Sequence, residues 1–336
     1  MGGSLDGLGD HPEVQLHETD ERERNRAMHK YLPLLMLPAI GMGAPTHPLF
    51  AQQDFSQVEI EVTPVRGGVH MITGSGGNMA AFIGEDGIFL VDASYGELTD
   101  RILAAVRGLC ERESANSAPK YLVNTHWHFD HTSGNENMAN AGFTLMGHEN
   151  VLRLMSSDQV MAALGGREVP AAPEAALPRL SFNDRVNLSW NGDLIHIVHI
   201  ADAHTNGDAI VHFRDADVVH AGDIFFNGMY PYIDIDNGGH IGGMVDAVDE
   251  IIAHANETML FIPGHGPLAT LEELTEYRDM LATVRDRVQE LIDQGKTRDE
   301  VIEAQPTADF DPTWNSEGGW PDPGFWVGLV YDGMVR

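Results

Sequence analysis

Four side chains that bind metal ions well lie within six residues of one another, in residues 125–131, whose sequence is THWHFDH. Imidazole and carboxylate groups are the ligands that a borderline cation such as zinc prefers. The segment directly follows a short apolar strand predicted over residues 121–123. Alternation along an extended chain puts His126 and His128 on one side, and Asp130 and His131 follow where the chain turns into a helix. This spacing predicts a metal site rather than a chance group of surface histidines.

Three further candidate ligands follow predicted strands in the second half of the chain. His204 comes after the strand predicted over residues 194–200, and Asp223 after the strand predicted over residues 218–221. His265 lies in the sequence Pro-Gly-His-Gly, after the strand predicted over residues 259–262. Because each residue lies in a loop that leaves an apolar strand, we expect all three at one edge of the sheets, beside the first group.

The elements that must position these residues occur as strands followed by a helix, twice. Such a repeat predicts an α/β fold in which two β-sheets are sandwiched between helices, an αββα sandwich. Thr270 with Glu273, and Thr297 with Glu300, form capping-box patterns that predict two helix starts. Residues 130–141 and 147–156 are predicted helices, and residues 157–180, rich in Ala, Pro and Gly, are predicted to form a loop or lid near the site. The predicted strands are residues 58–62, 68–72, 79–83, 88–91, 121–123, 186–189, 194–200, 209–213, 218–221 and 259–262, and the other predicted helices are residues 98–109 and 244–255.

The order of these motifs along the chain resembles the order found in the metallo-β-lactamase superfamily of binuclear hydrolases. The motifs are HxHxDH, a lone His, Gly-Asp and Pro-Gly-His-Gly, and the resemblance covers roughly residues 60–268. The resemblance implies two mixed sheets and two Zn²⁺ per chain. It implies a first metal on His126, His128 and His204, and a second on Asp130, His131 and His265. It also implies that Asp223 bridges both metals and that Asp92 orients a ligand imidazole.

The chemistry implied by the resemblance is hydrolysis. Two divalent cations lower the pKa of a shared water from about 15.7 toward about 7, and the resulting hydroxide attacks a carbonyl. Asp130 is the expected catalytic residue, because its carboxylate can orient the nucleophile or pass on its proton. The expected substrate pocket contains Phe226, Asn227, Tyr230 and His148.

The substrate is less well defined than the chemistry. We expect a cyclic amide or ester, with β-lactam hydrolysis the leading activity and lactone or aryl-ester hydrolysis the alternative. In one group of β-lactamases of this family, a Cys stands where this chain has Asp223, and a Lys that holds the substrate carboxylate stands where it has Phe226. A mononuclear iron persulfide dioxygenase is the alternative from another reaction class. A non-catalytic metal-binding protein is a third, which a complete set of seven ligands disfavours.

The charge of the chain restricts its partners. Fifty-one acidic residues against 20 basic residues give a formal net charge of −31, and such a surface repels phosphate backbones. We therefore expect a small-molecule substrate and no nucleic acid, and the sequence leaves the oligomeric state open. The lone cysteine, Cys110, is predicted to be a buried thiol.

The N-terminal region has the composition of an export leader. A short basic segment at residues 28–30 precedes an apolar stretch at residues 31–40, which prolines interrupt. We expect a signal peptide at about residues 28–51, and hence a periplasmic or secreted enzyme with no membrane attachment after cleavage. The location would be cytoplasmic if the leader is not a signal. The expected organisation is a disordered leader over residues 1–55, a metallo-β-lactamase domain over 56–268 and a helical extension over 269–336 packed on the same domain.

Overall fold

The computed structural model describes residues 54–315 and 319–336. The predicted leader therefore lies outside the described residues, apart from Asp54 and Phe55. None of the helices in the described ranges has the length and apolar character needed to cross a membrane.

Seven strands form the first sheet. Strands β1 to β4 pair as antiparallel neighbours, and β4, β5, β6 and β9 continue the sheet in parallel. The strands are β1 (Glu61–Arg66), β2 (Val69–Thr73), β3 (Met79–Phe82), β4 (Ile88–Val91), β5 (Pro119–Val123), β6 (Thr144–His148) and β9 (Leu180–Phe182). A separate hairpin, β7 (Gln159–Met161) and β8 (Arg167–Val169), lies between β6 and β9 along the chain.

Five strands form the second sheet, in the order β10 to β14. The first four pair as antiparallel neighbours, and β13 and β14 pair in parallel. The strands are β10 (Arg185–Trp190), β11 (Asp193–Ile200), β12 (Asp208–Phe213), β13 (Val218–Phe226) and β14 (Leu260–His265). Strand β13 is buried along its whole length, which is typical of a central strand.

Nine α-helices are described. They are α1 (Thr99–Glu113), α2 (Phe129–Thr132), α3 (Asn135–Asn140), α4 (Glu149–Met155), α5 (Ile241–His254), α6 (Leu271–Asp293), α7 (Arg298–Glu303), α8 (Asp311–Trp314) and α9 (Pro323–Met334). Both predicted capping boxes are confirmed, at the starts of α6 and α7. Helix α9 shares one apolar cluster with α5 and α6, through Trp326 and Val330.

Apolar side chains fill three spaces between four layers. Residues of α1, such as Val106, pack on one face of the first sheet. The space between the two sheets contains Phe82 and Phe213, whose ring centroids are 5.3 Å apart. Met244 and Leu274, from α5 and α6, cover the far face of the second sheet. This is the predicted αββα sandwich of two mixed β-sheets.

Local predictions were corrected in the segment between β5 and β10. The helix predicted over residues 130–141 is two short helices, α2 and α3, because the chain turns at Ser133 and Gly134. The helix predicted over residues 147–156 begins only at Glu149, because Gly147 and His148 complete β6. The predicted loop over residues 157–180 contains the β7–β8 hairpin, and its last residue begins β9.

Candidate metal centre

The seven predicted ligands meet at one edge of the two sheets. The loop after β5 carries His126 and His128, and the helix that follows it, α2, carries Asp130 and His131. The other three ligands are His204 in the loop between β11 and β12, Asp223 in β13, and His265 at the end of β14. Their ligand atoms form two groups, and within each group all of these atoms lie within 4.8 Å of one another. One group is His126, His128, His204 and Asp223, and the other is Asp130, His131 and His265.

The Asp223 carboxylate lies between the two groups. Its Oδ2 is 3.6 Å from His126 Nε2, 3.4 Å from His204 Nε2 and 3.5 Å from His265 Nε2. Its Oδ1 is 3.0 Å from His131 Nε2. A single buried carboxylate therefore contacts imidazoles from both groups, which is the position that a bridging ligand requires.

Asp92 fixes the ring of His131. Its Oδ2 is 2.8 Å from His131 Nδ1, so that His131 Nε2 is directed toward Asp223. The backbone N–H and the hydroxyl of Thr125 each donate a hydrogen bond of 2.8 Å to the same carboxylate. Asp92 is fully buried. This arrangement agrees with the expected role of Asp92, because a ligand imidazole needs its second nitrogen held in place.

The rings of His128 and His204 are fixed in a similar way. His128 Nε2 is 2.9 Å from Asp234 Oδ2, and His204 Nδ1 is 2.7 Å from the backbone carbonyl of Tyr232. The remaining nitrogens, His128 Nδ1 and His204 Nε2, face each other at 2.9 Å. Sequence reasoning missed Asp234, although an acidic residue in the apolar run that follows Asp223 was a usable signal.

Two glycines allow the chain to approach these groups closely. A Cβ atom at Gly264 would lie 2.0 Å from Asp223 Oδ1, and a Cβ at Gly77 would lie 2.0 Å from the His131 ring. Only glycine fits where another side chain occupies the space of its Cβ. The first glycine of Pro-Gly-His-Gly, Gly264, is therefore explained by its packing against the Asp223 carboxylate, which lies between the two groups.

The electrostatics of the centre favour positive charge. Burial opposes charge on His131 and His265, but Asp223 and Asp130 outweigh it, raising the pKa of His131 well above its ordinary value and that of His265 to about 9. Burial opposes ionisation of Asp130, but the imidazoles lower its pKa to about 2. Burial holds the pKa of His126 well below its ordinary value. The carboxylates thus require cations beside them, while His126 offers a neutral nitrogen.

A buried nitrogen without a hydrogen-bond partner indicates that these residues suit a metal ion. His126 Nε2 is buried and has no hydrogen-bond partner among the described residues. A buried polar atom without a partner costs about 1–3 kcal/mol, and a bound cation would remove that cost. The donor set of imidazole and carboxylate groups suits zinc or a similar transition metal.

A small cavity opens above the two groups. Its volume is about 180 Å³. Asp130, whose side chain is 17% exposed, borders it and can reach a molecule inside it. The lining residues are His128, Phe129, Asp130, Met161, Leu164, Asp223, Phe226, Met229, Tyr232, His265 and Trp320.

One of the four predicted pocket residues lines this cavity. Phe226 stacks on His265, with ring centroids 5.1 Å apart and planes at 15°. Asn227 does not line the cavity, because its side-chain amide turns away and donates to the Pro267 carbonyl at 3.1 Å. The prediction for Asn227 is corrected accordingly.

The prediction that Tyr230 and His148 line the pocket is also wrong. Tyr230 is packed in the core, where its ring stacks on Trp326 at 4.4 Å and its hydroxyl donates to Asp311. His148 ends β6 and stacks on His199, with ring centroids 3.6 Å apart. Neither residue lines the cavity. An aromatic or imidazole side chain near a motif in sequence can face the core instead, and the sequence did not indicate which.

Comparisons with known proteins agree with this geometry. The family model of the metallo-beta-lactamase superfamily matches residues 72–270. A metallo-beta-lactamase from Pontibacter korlensis has 16% identity and a TM-score of 0.53, over 67% of this chain and 99% of that one. The DIM-1 metallo-beta-lactamase has 17% identity and a TM-score of 0.52, over 68% of this chain and 99% of that one.

A larger neighbour shares more of the chain. The inverting sec-alkylsulfatase Pisa1 from Pseudomonas sp. has 15% identity and a TM-score of 0.60, over 81% of this chain and 50% of that one. No curated protein matches the chain in sequence. The solved structures share the fold, and the family model covers more than half of the chain, including every predicted ligand. The chain belongs to the metallo-beta-lactamase superfamily.

Proposed function

We propose that this protein uses two Zn²⁺ ions to open a cyclic amide or ester by hydrolysis. The observation that carries the proposal is the position of Asp223, whose two carboxylate oxygens contact imidazoles of both ligand groups. His126, His128 and His204 would hold one ion, Asp130, His131 and His265 the other, and Asp223 would touch both. When bound, the ions would supply Lewis acidity and a water of lowered pKa.

The protein's own residues supply orientation and proton transfer. Asp130 borders the cavity, and its Oδ2 lies 3.3 Å from His265 Nε2. Its pKa of about 2 keeps it ionised, so its carboxylate can accept a hydrogen bond from a water in the cavity and orient it toward a substrate carbonyl. Asp92 and Asp234 hold the His131 and His128 rings and thereby fix the direction in which their free nitrogens point.

Of the possible substrates, we propose β-lactams first. Two similar structures are metallo-beta-lactamases, and the proposed export through the leader would place the enzyme where β-lactams act. Lactones and aryl esters are the second candidate, and a specific observation favours them. Among the described residues that line the cavity, none is Lys or Arg to hold a β-lactam carboxylate.

Elemental analysis combined with substrate tests would separate these possibilities. The purified protein would be analysed for metals and assayed with a chromogenic cephalosporin, a neutral lactone and a secondary alkyl sulfate, the last because of the alkylsulfatase neighbour. About two zinc ions per chain with cephalosporin turnover would support the first proposal, and lactone turnover alone would support the second. One iron per chain with none of these activities would contradict both and favour the persulfide dioxygenase.

A further inference from the structure

The cavity above the metal centre is closed by side chains from segments that lie far apart in the sequence. The β7–β8 hairpin contributes Met161 and Leu164, and the loop after β13 contributes Met229 and Tyr232. Trp320 comes from the segment before α9. We call these five residues, together with Phe129 and Phe226, the apolar wall. Apart from the proposed metal ligands, the apolar wall accounts for all of the described residues that line the cavity.

Trp320 adds to the wall a side chain from outside the family domain. It lies beyond residues 72–270, the range that the family model matches. Its ring stacks on Tyr232, with centroids 5.6 Å apart and planes at 29°, and its centroid is 5.9 Å from that of Phe325. It remains 36% exposed, which is high for so large an apolar side chain. An exposed indole at the rim of a catalytic cavity is well placed to contact a substrate.

The apolar wall contains no charged group. Among the described residues, the carboxylate and imidazole side chains that line the cavity all belong to the proposed ligands Asp130, Asp223, His128 and His265. Arg167 belongs to the same hairpin as Met161 and Leu164, but its guanidinium stacks on the Phe129 ring, 3.8 Å from the ring centroid, and does not line the cavity. A carboxylate carried by a substrate group against this wall would lose water, and the described lining residues include no Lys or Arg to pair with it, which is unfavourable.

The size of the cavity limits the group that fits. Its volume of about 180 Å³ is smaller than the roughly 300–1,000 Å³ of a typical ligand pocket. The two methionines add flexible, polarisable surface that adapts to different apolar shapes and contacts aromatic rings favourably. The wall therefore suits one aromatic ring or a short alkyl chain beside the reacting carbonyl.

We propose that the apolar wall selects neutral aryl or short-alkyl esters and lactones, and that it discriminates against substrates with a carboxylate on that group. The selection rests on the proposed hydrolytic function, and within that function it favours the second of the two substrate classes, lactones and aryl esters, over β-lactams. It differs from that function in that it can be measured through binding as well as through turnover.

Matched substrates and matched variants test the proposal. We would compare kcat/KM for phenyl acetate and for 3-acetoxybenzoate, each corrected for its rate of alkaline hydrolysis. The wild-type protein is expected to prefer phenyl acetate at least about tenfold. Leu164→Lys, which adds a cation to the half-buried wall, is expected to reduce that ratio about fivefold, equivalent to ~1 kcal/mol for an ion pair near the surface.

Val160→Lys is the control for the added charge. Val160 belongs to the same hairpin but is 57% exposed and does not line the cavity. Because Val160→Lys adds the same charge to the same hairpin outside the cavity, the ratio of kcat/KM for the two esters should stay within about twofold of the wild-type value. An equal change in both variants would mean that long-range attraction sets the ratio, and the proposal would be overturned.

Binding separates this proposal from the proposed function. 4-Methylphenol and 4-hydroxyphenylacetate would be titrated against zinc-loaded protein by tryptophan fluorescence, with Trp320→Phe to identify the signal from the wall. Tighter binding of 4-methylphenol, with the preference reduced in Leu164→Lys, would support the wall even if neither ester were hydrolysed. Equal or tighter binding of the anion by the wild type would overturn the selection, whatever the outcome for hydrolysis.

Discussion

Two of the histidine groups in the described part of this molecule differ in the partners of their rings. The first group lies at the metal edge, the edge of the two sheets where the seven proposed ligands meet. There His131 contacts the Asp92 carboxylate and His128 contacts the Asp234 carboxylate, so each ring has a second nitrogen free to face the centre. Away from that edge, His196 and His212 face each other across β11 and β12, with ring centroids 6.3 Å apart. His212 Nε2 is buried there and has no hydrogen-bond partner among the described residues.

The difference separates a metal centre from histidine packing. Imidazoles that carboxylates hold, and whose free nitrogens meet at one point, are arranged to share a cation. Imidazoles that pack on one another have no common target, and burial makes them resist protonation. Burial and the neighbouring His196 lower the pKa of His212. Burial lowers the pKa of His126 in the metal centre as well, but the Asp223 and Asp130 carboxylates there raise the pKa values of His131 and His265. The feature that indicates a metal centre is therefore the presence of carboxylates that hold the imidazole rings, and not the number of histidines.

Removing the shared carboxylate should have the largest effect on this contrast. In Asp223→Ala, both groups lose a ligand, and we expect hydrolysis to fall by more than about 100-fold, beyond the range for loss of an outer partner. Metal content per chain, measured by elemental analysis, should fall with it. Asp193→Ala is the matched control, because Asp193 is also buried but accepts hydrogen bonds from Leu194, Asp215 and Ala216. Full activity with both metals in Asp223→Ala would disprove the bridging role.

Loosening one ring should have the next largest effect. Asp234→Asn removes the carboxylate that orients His128, and we expect zinc affinity to fall about 10–100-fold. Competition with a chromogenic chelator would measure the affinity. Glu113→Gln is the comparison, because Glu113 contacts His70 at 2.9 Å and neither residue belongs to the metal centre. If both variants lost zinc equally, a carboxylate beside an imidazole would have no special meaning at the metal edge.

The smallest effect is expected in the packed region. The pKa of His212 is lowered in the fold, so the unfolded chain takes up a proton first as the pH falls below about 6.5. The fold therefore loses stability as the pH falls from there toward the lowered pKa. His212→Leu removes this loss, so its gain over the wild type, about 1 kcal/mol or less, should grow as the pH falls. Urea unfolding at pH 7.5 and 5.5 would measure the gain, and an equal gain at both would contradict the reasoning. Zinc content should not change.

Sequence patterns predicted the fold and the ligand positions well for a physical reason. The ligands lie on apolar strands or soon after them in the chain, and strands of alternating or continuous apolar character are read reliably from sequence. Strands β13 and β14 run further than predicted, so that Asp223 and His265 belong to them and not to the loops that follow. The αββα fold is confirmed, and all seven predicted ligands lie together. Their role in binding zinc stays a prediction.

The substrate cavity was harder to predict because its wall depends on contacts between distant segments. Tyr230 and Phe226 are four residues apart, yet one ring packs in the core against Trp326 and the other faces the centre. Trp320 belongs to none of the motifs, and its place at the rim follows only from the path of the C-terminal segment. No periodicity encodes such long-range placement.

The ligands are spread from residue 126 to residue 265 and lie on elements of both sheets. The first sheet cannot form a complete ligand group by itself, since His204, Asp223 and His265 arrive with strands of the second. A high-affinity site therefore exists only after the two halves of the chain have docked, and long-range docking of this kind is a slow step in folding. Zinc uptake should then follow collapse rather than guide it, so the rate of metal capture during refolding would report when the two halves meet.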